Sequence, residues 1–324
     1  MKEVYKAENR ISIEMAPMEG ITTATFRRVY SKWFKGIDRT YTPFLVANQT
    51  HKFKRREERE IEECCPALVP QILTDRAEYF IWAAQKLKKL GYTEVNLNAG
   101  CPSATVTTKK KGAGMLRDLP ALRSFLDEVF TAQETLDMPE VSVKTRAGFS
   151  SYDETDDIAK LYAGYPLAAL IVHPRIRDDF YDKTPDFNAF GAFYEHIDHE
   201  KLVFNGDLNT AGDADRILEL FPGIKGIMTG RGLLADPFLP GRIKSNETWG
   251  RDGFSDREKE IMLGFLEELF DEYERELSEG TALLKMKDLW NFMAVSFPGQ
   301  DKKLKAIRKA RSGYEYKAAV KMIL

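Results

Sequence analysis

The stretch ALVPQILTDRAEYFIWAAQKLKKLGYTEVNLN, residues 67–98, carries the unit from which the fold is read. Its ends, ALVPQI (67–72) and TEVNLN (93–98), are short apolar, β-branched runs of strand length. Between them, DRAEYFIWAAQKLKKLG (75–91) repeats its apolar residues three and four apart, the period of an amphipathic helix. Thr74 is the expected N-cap of that helix and Gly91 its expected terminator. Strand, helix and strand in succession make a crossover between two parallel neighbours.

The unit repeats outward. ISIEMA (11–16), GIDRTYT (36–42), EVSVKT (140–145), AALIVH (168–173), KLVFN (201–205) and KGIMTG (225–230) are further strands, and PALRSFLDEVFTAQETL (120–136) is another helix. Eight strands with crossovers, spread over residues 11–230, match a (β/α)8 TIM barrel of about 250 residues. A doubly wound open sheet competes, but no G-x-G-x-x-G follows the first strand. The expected fold class is therefore α/β, a (β/α)8 TIM barrel.

Beyond residue 244 the strand pattern stops. SDREKEIMLGFLEELFDEYEREL (255–277) is one amphipathic helix with Ser255 and Glu258 spaced as a capping box. ALLKMKDLWNFMAVSF (282–297), KKLKAIRKARSG (302–313) and YEYKAAVKMIL (314–324) are also helical by period. The expected division is a catalytic barrel over 1–244 and an all-helical domain over 245–324. Charge is split within that tail: 245–284 holds 4 basic and 12 acidic residues, and 285–324 holds 10 basic and 3 acidic. The basic half either attracts phosphates or packs against its acidic neighbour.

Composition bounds the function. The chain has 324 residues, 43% hydrophobic and 30% charged, enough apolar material for a large core. With 48 basic and 50 acidic residues it is not a globally basic nucleic-acid coat protein. No apolar run approaches the roughly 18 residues of a membrane span, and MKEVYKAENR (1–10) is unlike a signal peptide. Three cysteines, with Cys64 and Cys65 adjacent, make neither a disulfide framework nor a metal-binding spacing. A reducing, cytoplasmic setting is expected.

In a barrel the loops after the strands converge on one face, where chemistry is built. Those loops here carry Pro17, Met18 and Glu19, then Gln71, then Asn98 to Pro102, then Lys144 to Arg146, then His173 to Arg175, Asn205 to Asp207, and Gly230 to Gly232. Glycines after the seventh and eighth strands suit a phosphate bound through backbone N–H groups, with Arg231 adding charge, although each alone could serve only a tight turn. Lys144 could form a Schiff base, neutralise an anionic ring, or pair with a nearby acid. Gln71 can both donate and accept at the edge of a heterocycle. Cys101, on a loop between Gly100 and Pro102, would be mostly protonated at neutral pH and could act as proton donor or nucleophile. Cys64 and Cys65 suit a structural role.

MAPMEGITTATFRR (15–28), LVPQI (68–72), VNLNAGCPSATVTTKKKGAGMLRD (95–118), VSVKTRAGF (141–149), VHPR (172–175), FNGD (204–207) and TGRGLLADP (229–237) together resemble the tRNA-dihydrouridine synthases. The GCPS-x-TV segment with its K-G-A-G turn is the most specific part. The resemblance implies an FMN-containing barrel that reduces the C5–C6 double bond of uridines in tRNA, with NADPH as reductant. It implies that Pro17, Met18 and Glu19 line the flavin ring, Gln71 bonds its edge and Lys144 stabilises its reduced form. His173, Asn205, Gly206, Asp207, Gly230 and Arg231 would hold the ribityl chain and phosphate, and Cys101 would donate the proton. Asn98 and Arg175 would meet the substrate, while Lys302, Lys303, Lys305 and Arg308, with Lys309 and Arg311, would grip tRNA. No metal is implied. Ala99 departs from the Cys or Phe of many members, and the run Lys109 to Lys111 is longer than expected.

Other functions compatible with such a barrel are reduction of a free pyrimidine, as in dihydroorotate dehydrogenases, non-catalytic RNA binding, and an aldolase reaction at Lys144. A small substrate would give the basic tail no purpose.

Overall fold

The computed structural model describes residues 11–61, 67–245 and 253–324; Cys64 and Cys65 lie outside them. Ten strands form one parallel sheet: β1 (Ser12–Met15), β2 (Arg39–Tyr41), β3 (Leu45–Val46), β4 (Leu68–Val69), β5 (Gln71–Leu73), β6 (Glu94–Ala99), β7 (Glu140–Gly148), β8 (Leu170–Ile176), β9 (Leu202–Asn205) and β10 (Gly226–Thr229). Their order is β3-β5-β6-β7-β8-β9-β10-β1-β2-β4. β4 and β5 are one stretch of chain separated by Pro70, so the two ends of this order meet and the sheet closes. Proline has no N–H for a ladder. Before it, Thr40 and Tyr41 pair with Leu68 and Val69; after it, Gln71 and Ile72 pair with Asn96 and Leu97. The expected strand 67–72 is thus split in two, its first half pairing with β2 and its second with β3 and β6. β3 escaped the sequence reading because two residues show no period.

A TIM barrel is the result. Its interior is filled by Ala16, Tyr41, Val69, Ala169, Ile171, Val203 and Met228. A larger apolar layer lies between the sheet and its surrounding helices. The helix expected after Thr74 spans Ala77–Lys89 and is preceded by Arg76, which makes no side-chain cap. Thr74, two residues before that position, instead accepts the Arg76 N–H through Oγ1 at 3.3 Å and does not cap the helix. Gly91 ends it at φ +94°, where a side chain is disfavoured.

The tail forms helices at Asp256–Glu276, Glu279–Met293, Asp301–Lys309 and Gly313–Lys321. Ser255 and Glu258 make the expected capping box. These helices do not bury their apolar faces only among themselves. One continuous cluster joins Phe26, Val29 and Tyr30 of the barrel helix Ala24–Trp33, and Phe34 just after it, to Phe265, Leu266, Leu269 and Trp290 of the tail. Charge follows the same seam: Lys32 reaches Glu268 at 2.6 Å and Arg28 reaches Glu272 and Glu276. On its other flank the acidic helix pairs with Lys317 and Lys321.

Candidate active site

Cys101 follows β6 and is held by bonds to every backbone group around it. Asn98 Oδ1 accepts from the N–H groups of Gly100 (3.2 Å) and Cys101 (2.9 Å). Arg146 Nε donates to the Gly100 carbonyl at 3.1 Å, and Ala113 N–H to that of Cys101 at 3.0 Å. Arg177 Nε donates to the Pro102 carbonyl at 3.1 Å. The K-G-A-G turn owes its first glycine to this loop. Gly112 has φ +56°, and a Cβ there would collide with Cys101. The thiol is partly buried, and burial pushes it up, against the opposing pull of the Ser103 N–H, Arg146 and Lys144. It is therefore protonated at neutral pH.

Residues of neighbouring strands gather beside the Cys101 loop. Lys144 of β7 is half-buried and has no carboxylate within ion-pair range among the described residues. Burial, and then Arg146, bring its pKa down to about 7. Gln71 of β5 accepts from Asn98 Nδ2 and donates to Asn96 Oδ1, both at 2.8 Å. Each end of its carboxamide keeps further bonding capacity. Pro17 and Met18 form the rim after β1, where the Met18 N–H donates to Thr22 Oγ1 at 2.8 Å. Met18 Sδ would lie 3.3 Å from a Cβ on Gly230, so the first and eighth loops are in contact. Glu19 is exposed and only loosely paired with Arg56, at 3.9 Å.

Arg175, near the end of β8, and Arg231, after β10, share the carboxylate of Asp207, which follows β9. Asp207 takes Arg175 Nη2 and Arg231 Nη2, each at 2.5 Å, from a backbone at φ +33°. Arg175 Nη1 also meets His173 Nε2 at 3.1 Å. Arginine can only donate, so Nε2 accepts and the imidazole proton sits on Nδ1. Nδ1 is buried and has no partner. Burial and the surrounding cations Arg146, Lys144, Arg175 and Arg231 keep the ring neutral. Tyr181 lies over Arg231 at 4.7 Å and Arg146 at 5.3 Å. The N–H groups of Gly206, Asp207, Gly230 and Arg231 have no protein acceptor among the described residues. Asn205 Nδ2 donates to the Met228 carbonyl at 2.8 Å and ties β9 to β10.

An unpaired lysine, an orphaned imidazole N–H, four free backbone donors and several arginines against one shared carboxylate suit an anionic, hydrogen-bond-accepting ligand. The residues fit a phosphate-bearing ring cofactor.

The dihydrouridine synthase (Dus) family model matches residues 14–315, nearly the whole chain. The chain belongs to the dihydrouridine synthase family. It is 30% identical over 251 residues to a probable tRNA-dihydrouridine synthase of Staphylococcus aureus, covering 74% of this chain and 73% of that one. It is 26% identical over 277 residues to tRNA-dihydrouridine synthase B of Shewanella oneidensis, covering 83% and 82%. Among solved structures, a variant of NCR from Zymomonas mobilis is similar in fold, with a TM-score of 0.50 at 15% identity, covering 74% of this chain and 90% of that one.

Within this dihydrouridine synthase, the two residues expected to meet the substrate also serve the protein itself. Asn98 is buried, and its carboxamide bonds Gln71 and the Cys101 loop. Arg175 is 1% exposed, with its guanidinium held by Lys183 O, His173 and Asp207. Both also orient their neighbours, since most of their donors and acceptors are engaged inside the protein. Asp207 likewise orients two arginines with its carboxylate. The run Lys109 to Lys111 is not one patch, since Lys111 pairs with Asp75 at 3.5 Å.

In the tail, Lys302, Lys305 and Arg308 are exposed and Lys303 half-buried on helix Asp301–Lys309. None of them has an ion-pair partner among the described residues, unlike Lys317 and Lys321. Arg146, Arg177 and Gly112 were not assigned roles from sequence. Alternation offered a signal: Lys144 and Arg146 are two apart on one strand, as are His173 and Arg175 on the next, with Arg177 just past its end.

Proposed function

We propose that this chain reduces the C5–C6 double bond of uridines in tRNA, using FMN as its resident cofactor and NADPH as reductant. The observation that carries the reading is the Cys101 thiol, kept protonated and clamped beside a cation-rich pocket at the barrel mouth. Bound FMN, once reduced, supplies a hydride to C6 of the uracil. Lys144 and the N–H groups of the last two loops offset the negative charge of ring and phosphate. Cys101 Sγ–H gives its proton to C5 as the C5–C6 bond becomes single, and the thiolate is reprotonated from solvent. A thiol suits this step because it holds its proton at neutral pH yet releases it more readily than a hydroxyl. The uracil must leave its stack to reach the pocket, as bases do in other enzymes that act on them. The unpaired basic residues of helix Asp301–Lys309 supply backbone attraction to tRNA.

The test is Cys101→Ala. It should bind FMN and tRNA like the parent protein and form no dihydrouridine, as scored by mass spectrometry of tRNA from a deletion strain. Parental turnover by the variant removes Cys101 from its role. Turnover of free uracil in place of tRNA would favour reduction of a small pyrimidine.

A further inference from the structure

The carboxamide of Asn98 holds the Cys101 loop only if its oxygen points upward, towards the Gly100 and Cys101 N–H groups. A carboxamide turned end for end fills nearly the same volume, so packing cannot choose between the two senses. Hydrogen-bond partners must choose.

The partners form a chain across three adjacent strands. Asn98 Nδ2 donates to Gln71 Oε1 (2.8 Å), and Gln71 Nε2 donates to Asn96 Oδ1 (2.8 Å). Asn96 Nδ2 donates to Ser142 Oγ (2.9 Å), and Ser142 Oγ–H donates to the Val95 carbonyl (3.4 Å). Strand register places these residues side by side: Gln71 is level with Asn96, and Asn96 with Ser142. All four side chains belong to buried residues, and Asn96 and Ser142 are wholly enclosed. The chain runs one way from end to end.

At its lower end Ser142 donates to a backbone carbonyl, which can only accept, and takes the Asn96 Nδ2–H in turn. That turns Asn96 Oδ1 towards Gln71, which turns Gln71 Oε1 towards Asn98, which leaves Asn98 Oδ1 for the loop. Reversing any member would set donor against donor or acceptor against acceptor in a site closed to water, where an unmet polar group is costly.

We propose that Asn96 and Ser142 are positioning residues for Cys101: through Gln71 and Asn98 they fix the sense of the amide that anchors the acid-bearing loop. This rests on the reading of Cys101 as proton donor, which Cys101→Ala tests separately.

Asn96→Leu removes the acceptor for Gln71 while nearly keeping volume. A loosened loop should lower kcat for tRNA reduction by about 10²-fold, the scale of a misplacement near 1 Å, with KM for tRNA and FMN affinity within about twofold. Reduction of bound FMN by NADPH in stopped flow should keep its rate. Independently of activity, Cys101 in the FMN-free protein should react with iodoacetamide about tenfold faster, measured by peptide mass spectrometry, because the released thiol gains exposure. Asn96→Asp still accepts from Gln71 in either protonation state, so it should restore most of the lost kcat and the slow alkylation. Ser142→Ala, the milder lesion, should shift both readouts in the same direction and decides the matter if Asn96→Leu does not fold. Parental alkylation rate and kcat in Asn96→Leu, or in Ser142→Ala should the first not fold, would overturn the proposal. Equal impairment of folded Asn96→Leu and Asn96→Asp would do the same.

Discussion

Gly112 lies against Cys101: a Cβ on residue 112 would stand 2.8 Å from the Cys101 carbonyl oxygen and 3.0 Å from the Cys101 Cβ. Residue 112 also takes φ +56°, a conformation that suits glycine. The two residues are eleven positions apart in sequence. Their contact makes the G-C-P segment and the K-G-A-G turn a single structural unit.

Gly112→Ala should therefore act on Cys101. The added methyl displaces the loop carrying the thiol, so turnover falls by about 10²-fold, while FMN binding, built by other loops, is retained. Backbone strain should lower stability by about 1–3 kcal/mol. Steady-state tRNA reduction and a thermal melt check both; parental turnover would separate the turn from the chemistry.

Lys144 predicts a pH dependence of cofactor binding. Its pKa is depressed to about 7 in the free protein, chiefly by burial. An anionic flavin favours the charged lysine and raises that pKa on binding. Affinity should then be level below pH 7 and weaken as pH rises above it, by at most about tenfold per pH unit. Fluorescence titration of the FMN-free protein from pH 6 to 9 would measure this. Riboflavin serves as comparison, since it lacks the phosphate whose own ionisation falls near about pH 6. Lys144→Met should flatten the profile; an unchanged slope counts against Lys144.

The tail separates paired from unpaired cations. Lys302, Lys305 and Arg308 replaced together by Ala should raise KM for tRNA and leave flavin reduction intact. The slope of log affinity against log salt should become shallower, by about 0.7–0.9 for each phosphate that these side chains neutralise in the parent protein. Lys317→Ala should do little, because Lys317 is already bound to Asp271 at 2.5 Å. Equal effects from both variants would mean that net charge, not this helix face, attracts the RNA.

Phe265 tests how tail and barrel cohere. It is 1% exposed and packs edge-on against Phe26 and Tyr30 of the barrel helix and Phe34 just after it, with ring centroids 6.0, 6.4 and 5.0 Å away. Phe265→Ala should cost about 3–5 kcal/mol. Because the apolar cluster is shared, unfolding should remain one transition at lower temperature. Two resolved transitions, with the barrel's unmoved, would show that the tail folds alone.

The chemistry-bearing residues were legible because a parallel barrel brings its strand ends to one rim, so Gln71, Cys101, Lys144, His173 and Arg231 could be named from strand ends alone. What each side chain touches was not legible. Asn98 and Arg175 were expected at the substrate, and nothing in the sequence pointed to their bonds with Gln71, the Cys101 loop, His173 and Asp207. Thr74 resembles a cap, but the helix starts after Arg76 and the hydroxyl serves the turn before it.

By itself, the order of residues determined the barrel, the helical tail and the rim, because period and turn chemistry are local and repeat along the chain. Only the tertiary structure decided which cations are free and which are tied, that the tail shares its core with the helix Ala24–Trp33, and which way the amides beneath Cys101 face. Those outcomes depend on neighbours far away in sequence, and a hydrogen bond or ion pair exists only once both partners have been brought within about 3 Å.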